Sequence, residues 1–358
     1  MATIFKSAVG VFQSAYTKQA DLATVQAVDT QHVMGASWNP PVPVATTVSD
    51  AGFTNGAEGA TTVETVTKHF TGAFQFDRVY PNSIGSMLAY TFGPPATSTV
   101  DTSGVQHIFS DTDTDRVLDA FTTEYSTVAA GSENLKFRGC LVQSFTISMT
   151  KNQPMTLTVN WVGVARSADG TGATTVITTE PSMLGHGVTA WLGTGVEDTF
   201  VPVLGTCDLS GETELSGTTN AWLQSFNLTV TNIPDVTNLY TFTDDEISRA
   251  IRGARTVTGD FTIDKEAETI PDYIQANTEF AIEVDWTSGT IAGATAETFY
   301  YGAEFVVPKA HIVSEAPSWG ADGRQTATYN FEALEGADDN RFLGVVNNKT
   351  AAYAATPA

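Results

Sequence analysis

Positive charge is scarce in this sequence: 17 Lys and Arg stand against 40 Asp and Glu, a formal net charge of −23. So acidic a chain repels phosphate backbones, which excludes sequence-specific nucleic-acid binding. Cysteine is nearly absent. Cys140 and Cys207 are too few for a disulfide framework and too far apart for a CxxC metal site, so reduced thiols are expected. Long apolar runs are missing as well. No segment reaches the roughly 20 apolar residues that span a bilayer, and Met1 to Gln19 carries only a short apolar stretch, Ala8 to Phe12, with no signal-peptide core or cleavage motif. The reading is a protein made and folded in a cytoplasm, with no membrane partner.

Catalytic and metal-binding motifs are also lacking. His32, His69, His107, His186 and His311 are dispersed without HExxH or another ligand spacing. Asp111, Asp113 and Asp115 have the spacing that opens a calcium loop, but Arg116 replaces its glycine and Thr122 its closing glutamate, so the plain reading is a solvated acidic loop. No GxSxG elbow occurs, and the stretch from Leu192 to Val196 lacks the lysine of a phosphate cradle. Catalytic, cofactor-binding and metal-binding residues are therefore not expected, and the chain is not read as an enzyme.

Threonine, alanine, glycine and valine recur throughout, and 42% hydrophobic content is enough for sizeable cores. Residues alternate with the period of two that gives a strand one buried face. Phe145, Ile147 and Met149 alternate with Thr146, Ser148 and Thr150; Met155, Leu157, Val159 and Trp161 alternate with Thr156, Thr158 and Asn160; Lys151 to Pro154 joins the two as a hairpin turn. Ala327, Tyr329 and Phe331 repeat the code after a turn at Gly320 to Gly323, with a partner strand made less regular by Pro317. Trp222 to Val230 is a further strand and echoes Val142 to Ile147, which reads as common strand grammar.

Two of these patterns recur in order. Phe70-Thr-Gly-Ala-Phe-Gln-Phe-Asp77 matches Val257-Thr-Gly-Asp-Phe-Thr-Ile-Asp264, and Gly72 to Gly259 sets the offset at 259 − 72 = 187. Thr156-Leu-Thr-Val-Asn-Trp161 matches Thr326-Ala-Thr-Tyr-Asn-Phe331 with an offset of 331 − 161 = 170. The difference is extra loop in the first half, for which Pro94 to Val105 and Val128 to Asn134 have the composition. Each half has one helix candidate: Asn82 to Tyr90, capped by Asn82 or Ser83, and Thr269 to Ala276 with Pro271 in its first turn. The fold class is therefore all-β: two related β-sandwich or barrel domains, each flanked by one short helix. The divisions expected are an arm with the first strands at 1–60, repeats at 61–165 and 166–345, and a flexible tail at 346–358.

Several segments together resemble phage tail tube proteins of the duplicated type. They are Thr71 to Asp77 followed by a helix around Ile84 to Leu88; Gln106-His-Ile-Phe109; Phe137-Arg-Gly-Cys-Leu-Val-Gln-Ser-Phe-Thr-Ile-Ser-Met149; Asn160-Trp-Val-Gly163; Gln224 to Asn232; and Gly253 to Phe261. The resemblance implies tube domains whose inner sheets join between neighbours and rings that stack into the conduit for genomic DNA. It further implies a virion tail location, assembly in the host cytoplasm and a non-contractile tail. The implied partners are the chain itself, as a trimeric pseudo-hexamer, and other tail proteins such as the tape measure and the tail terminator, with DNA passing unbound. Phe5, Val11, Phe12 and Tyr16 form an apolar arm that is a candidate for assembly contacts, against the plainer reading that it packs on its own domain. A minor tail or baseplate protein of the same fold, and a secreted or surface β-repeat adhesin, are the alternatives.

Overall fold

The computed structural model describes residues 10–14, 18–26, 28, 30–33, 41–49, 63–100, 104–111, 117–127, 135–167, 180–193, 204, 207, 209, 211–215, 222–264, 278–292, 299–320, 325–335, 340–350 and 353, with the backbone alone for 10–14, 30–33, 126–127, 213 and 291. In chain order the strands are β1 (Gly10–Ser14), β2 (Thr30–Val33), β3 (Val42–Ser49), β4 (Val63–Phe76), β5 (Ala96–Thr99), β6 (Val105–Ser110), β7 (Phe121–Thr127), β8 (Leu135–Thr150), β9 (Thr156–Gly163) and β10 (Ala165–Arg166). There follow β11 (Val188–Gly193), β12 (Thr213–Glu214), β13 (Leu223–Thr231), β14 (Thr256–Asp264), β15 (Phe280–Ile291), β16 (Tyr300–Trp319), β17 (Gln325–Ala333) and β18 (Leu343–Asn348). The one α-helix among the described residues is α1 (Pro81–Phe92).

Eight strands form a continuous antiparallel ribbon in the order β3, β4, β9, β8, β13, β14, β17, β16. The alternation read in the sequence puts one set of side chains on a shared apolar face. Phe74, Phe145, Val159, Trp161, Phe226, Phe261, Tyr329 and Phe331 are all buried in a single core that runs through both halves of the chain. The first part of β8 also pairs with β7 and β10, and β7 with β1. The first part of β16 pairs with β15 and β18, β15 with β11, and β18 with β6. Each of the two longest strands thus belongs to two ladders, and closing those ladders over the ribbon buries its apolar face.

The recurring segments pair in matching registers. Gly72 pairs with Trp161 and Gly259 with Phe331; Phe74 pairs with Val159 and Phe261 with Tyr329. Ser144 pairs with Asn160 just past a bulge that skips Gln143, and Ser314 pairs with Asn330 just past a bulge that skips Val313. Phe121 lies opposite Cys140 and Phe280 opposite Ala310, in each case with one residue skipped on the first strand and two on the second before the next pair.

The cap of helix α1 lies two residues before Asn82, the first of the two polar caps expected. Tyr80 is the extended N-cap residue and Pro81 takes the first turn, where its missing N–H costs nothing. Asn82 instead donates its N–H to Glu180 Oε2 at 2.9 Å. The helix is buried along nearly its whole length and packs against β18, β8 and β6. The second helix candidate, Thr269 to Ala276, lies outside the described residues, as does Val128 to Asn134.

Cys140 sits within β8, fully buried, as the strand runs back to Leu135. Two local expectations are corrected. Asp111 is not a solvated loop residue: it is 1% exposed and forms an ion pair with Nη1 of Arg255. That guanidinium also donates from Nε to Asn232 Oδ1 at 2.7 Å and from Nη2 to Thr91 O at 2.9 Å, tying the end of α1 to the second half. The tail expected to be flexible from Val346 continues in strand to Asn348, and Tyr353 is buried with its ring 4.6 Å from that of His107.

Candidate functional site

The other face of the eight-stranded ribbon is the most distinctive surface of the protein. Its residues are the polar half of the alternation, carried by strands whose register is locked by the core beneath. Side chains hydrogen-bond across successive strands. Asn160 Nδ2 donates to Ser144 Oγ at 2.9 Å, Thr146 Oγ1 and Thr229 Oγ1 are 3.0 Å apart, and Asn227 Nδ2 donates to Asp260 Oδ2 at 2.9 Å. Thr262 Oγ1 and Thr328 Oγ1 are 2.8 Å apart, and Asn330 Nδ2 donates to Ser314 Oγ at 2.9 Å. The Asn–Ser pair therefore occurs twice, at positions related by 330 − 160 = 170 residues.

On this face Thr71, Ala73 and Gln75 of β4 lead through Asn160, Ser144, Asn227, Asp260 and Asn330 to Ser314 of β16, without a lysine or arginine among the described residues. Its formal charges are carboxylates such as Asp260 and Asp264, and the latter accepts from Gln224 Nε2 at 2.8 Å. A surface of hydroxyls, amides and carboxylates offers a polyanion no fixed cation to hold it, and its negative charge acts only within a Debye length of about 8–10 Å.

Other polar groups are structural by their surroundings. His107 is buried, its Nε2 2.8 Å from Thr350 O, and burial lowers its pKa from the ordinary value. His69 Nδ1 lies 2.6 Å from Tyr240 Oη, and burial lowers its pKa too. Glu283 and Asp285 of β15 and Glu304 of β16 are buried with carboxylate oxygens within 4.8 Å of one another, and none of the three is without a partner. That cluster was not legible in the sequence, because Glu304 reaches the other two only through the β15–β16 register.

Of the arm residues, Phe5 and Tyr16 lie outside the described residues. Val11 and Phe12 belong to β1, whose backbone pairs with β2 and β7 of its own chain.

The strand ladders of the described residues are all antiparallel, and they present an extended polar sheet face without a described lysine or arginine. The family model described as phage tail tube protein matches residues 15–333, and the chain belongs to that family. It is accordingly a structural protein of the phage tail. Among solved structures, the SPP1 tail tube, determined by solid-state NMR and cryo-electron microscopy, is similar at 13% identity over 47% of this chain and 80% of that one. The TM-score of that match is 0.27, too low to bear on the details of the fold. No curated protein matches the chain.

Proposed function

We propose that the protein polymerises into rings that stack into the tail tube, with the polar sheet face lining the channel through which genomic DNA leaves the virion. The observation that carries this reading is the cation-free face spanning eight strands, which suits a wall that a polyanion must pass without sticking. Recurrence of the same registers, bulges and Asn–Ser pair supports two fused tube units in one chain, with β1, β2 and β7 answering to β11, β12 and β15. The duplicated unit then begins at β1 instead of at residue 61. Three chains would supply the six units of a pseudo-sixfold ring. Phe5 and Tyr16, flanking β1, remain candidates for contact with an adjacent ring. Tape measure and terminator proteins are the further partners, assembly takes place in the host cytoplasm, and the tail is non-contractile.

Electron microscopy of the purified protein and of particles containing it tests the reading. Hollow stacked rings with threefold symmetry and six similar lobes are expected. Sixfold rings of whole chains would overturn the trimer, and low copy number at the tail tip would favour a baseplate component.

A further inference from the structure

Among the described strands, two ladders join the halves of the chain. One is the β8–β13 seam within the ribbon, where Thr146 meets Thr229. The other runs through β18, which lies between β6 of the first half and β16 of the second. Val345 is paired with Ile108 on one side and with Glu304 on the other, and every residue of β18 is buried.

The stretch that holds β5 and β6 is an addition to the first half. From Gly72 to Phe121 the chain advances 121 − 72 = 49 residues, whereas between their register equivalents, Gly259 and Phe280, it advances 280 − 259 = 21. Hairpin β5–β6 falls within the longer stretch, so the slot between β6 and β16 occurs once per chain.

The segment that fills the slot is held at both ends. Before the strand, Arg341 Nη1 donates to Arg255 O at 3.0 Å, and Asp111 N–H donates to Phe342 O at 3.1 Å. The Phe342 ring stacks on Phe92 in the last turn of α1, with centroids 4.7 Å apart and planes 5° from parallel. After the strand, Thr350 Oγ1 and Tyr353 Oη donate to Asn82 Oδ1 in the first turn of α1, at 3.0 and 3.1 Å. Tyr353 lies against Gly85, where a Cβ would come within 2.5 Å of its Cζ. Arg341 to Tyr353 is thus a strap laid along α1 from one end to the other.

We infer that the slot between β6 and β16 is a binding site for a β-strand, that its occupant is the strap Arg341 to Tyr353, and that docking of the strap locks the two halves at the angle ring closure needs. This rests on the ring reading above and assigns the element that sets the curvature. Apolar contact in the shared core is non-directional, and a single ladder can twist. A second ladder with its own register removes that freedom.

Sequence separation makes the strap the last piece to dock. The seam brings together Thr146 and Thr229, 83 residues apart, while Tyr353 meets Asn82 across 271. Closing the longer loop costs more entropy, and long-range pairing is slow. Until the strap docks, β6 and β16 present open edges beside the rings of Phe92 and Phe305; docking covers both edges, as when a peptide strand is added to a sheet.

The test uses the full-length chain with a protease site in place of 336–339. The protein is folded and cut, the strap is removed in mild denaturant, and the denaturant is withdrawn. The strap-free protein is expected to keep its strand circular dichroism yet stay monomeric by light scattering, under conditions where the parent polymerises. A synthetic peptide of Asn340 to Tyr353 should restore polymerisation, and the same peptide carrying Phe342→Ala and Tyr353→Ala should need on the order of a hundredfold higher concentration. Polymerisation of the strap-free protein to the parent's extent would overturn the lock and leave the tube standing. If the strap-free protein does not hold its fold, Gly85→Ala in the uncut chain decides: alanine favours the helix but its methyl displaces Tyr353. A folded Gly85→Ala variant that polymerises about tenfold more slowly supports the lock, and an unchanged or faster rate would overturn it. If neither the parent nor the peptide-restored protein forms rings, the ring reading falls and the lock falls with it.

Discussion

Trp161 lies across Gly72 so closely that a Cβ at that position would be 2.3 Å from Cζ2 of the indole. The indole Nε1, itself 2.9 Å from that Cβ position, donates to Tyr125 Oη at 2.8 Å, so moving the ring away would also strain a buried hydrogen bond. The arrangement recurs at Gly259, where a Cβ would be 2.4 Å from Cζ of Phe331. Gly72→Ala should therefore overpack the core and cost about 1–3 kcal/mol, measured by urea denaturation. Gly72→Ala combined with Trp161→Phe, which removes part of the offending ring, should recover some of that loss, whereas additive losses would show that the contact is not what makes glycine necessary.

The Asp111–Arg255 pair gives a second expectation. Both side chains are almost wholly buried, so removing one partner strands a charge in the interior. Arg255→Met should cost about 3–5 kcal/mol. The double replacement Asp111→Leu/Arg255→Met should cost clearly less than the sum of the single changes, which a double-mutant cycle in denaturant would read.

Glu180 makes stability depend on pH. Burial pushes its carboxyl from the ordinary 4.5 up to about 7, against the opposing pull of the Asn82 N–H and the more distant Lys349. A folded-state value above the unfolded one favours the protonated form in the fold. The contribution is fully present below pH 4.5 and is lost as pH rises through 7. Glu180→Gln keeps an acceptor for Asn82, so it should be near neutral at pH 4 and stabilising by about 1–3 kcal/mol at pH 8. A melting-temperature difference between variant and parent that does not change with pH would contradict this.

Charge on the polar face can be tested by reversal. Thr158→Lys with Thr328→Lys puts a cation at the same place in each half of the ribbon, opposite Gln75 in the first and Thr262 in the second. Tubes assembled from this variant should retain DNA in a salt-dependent way, and phage carrying it should eject DNA more slowly than the parent. Equal ejection kinetics would mean that this face does not line the channel.

Much of the ribbon was legible in the sequence. A period of two is local, so Phe145 to Trp161 declares both its strands and its buried side without reference to the rest of the chain. The recurring Thr-Gly-x-Phe and Thr-x-Thr-x-Asn-aromatic segments became β4 with β9 and β14 with β17, paired in matching registers. The echo between Val142 to Ile147 and Trp222 to Val230, read as common strand grammar, joins two strands that are hydrogen-bonded neighbours. Pro317 did not end its strand, because the side from which it withholds an N–H faces no described strand.

What the sequence determined by itself was whatever depends on neighbours a few residues apart: strand periodicity, the turn at Lys151 to Pro154, the presence of a helix after Asp77, and the scarcity of cations. Only the tertiary structure decided the pairing of β8 with β13, the joining of β6 to β18, the Asp111–Arg255 ion pair and which strand edges remain open. Those depend on contacts between residues far apart in the chain, and composition carries no record of which distant segments meet when burial of a shared apolar face selects one register over all others.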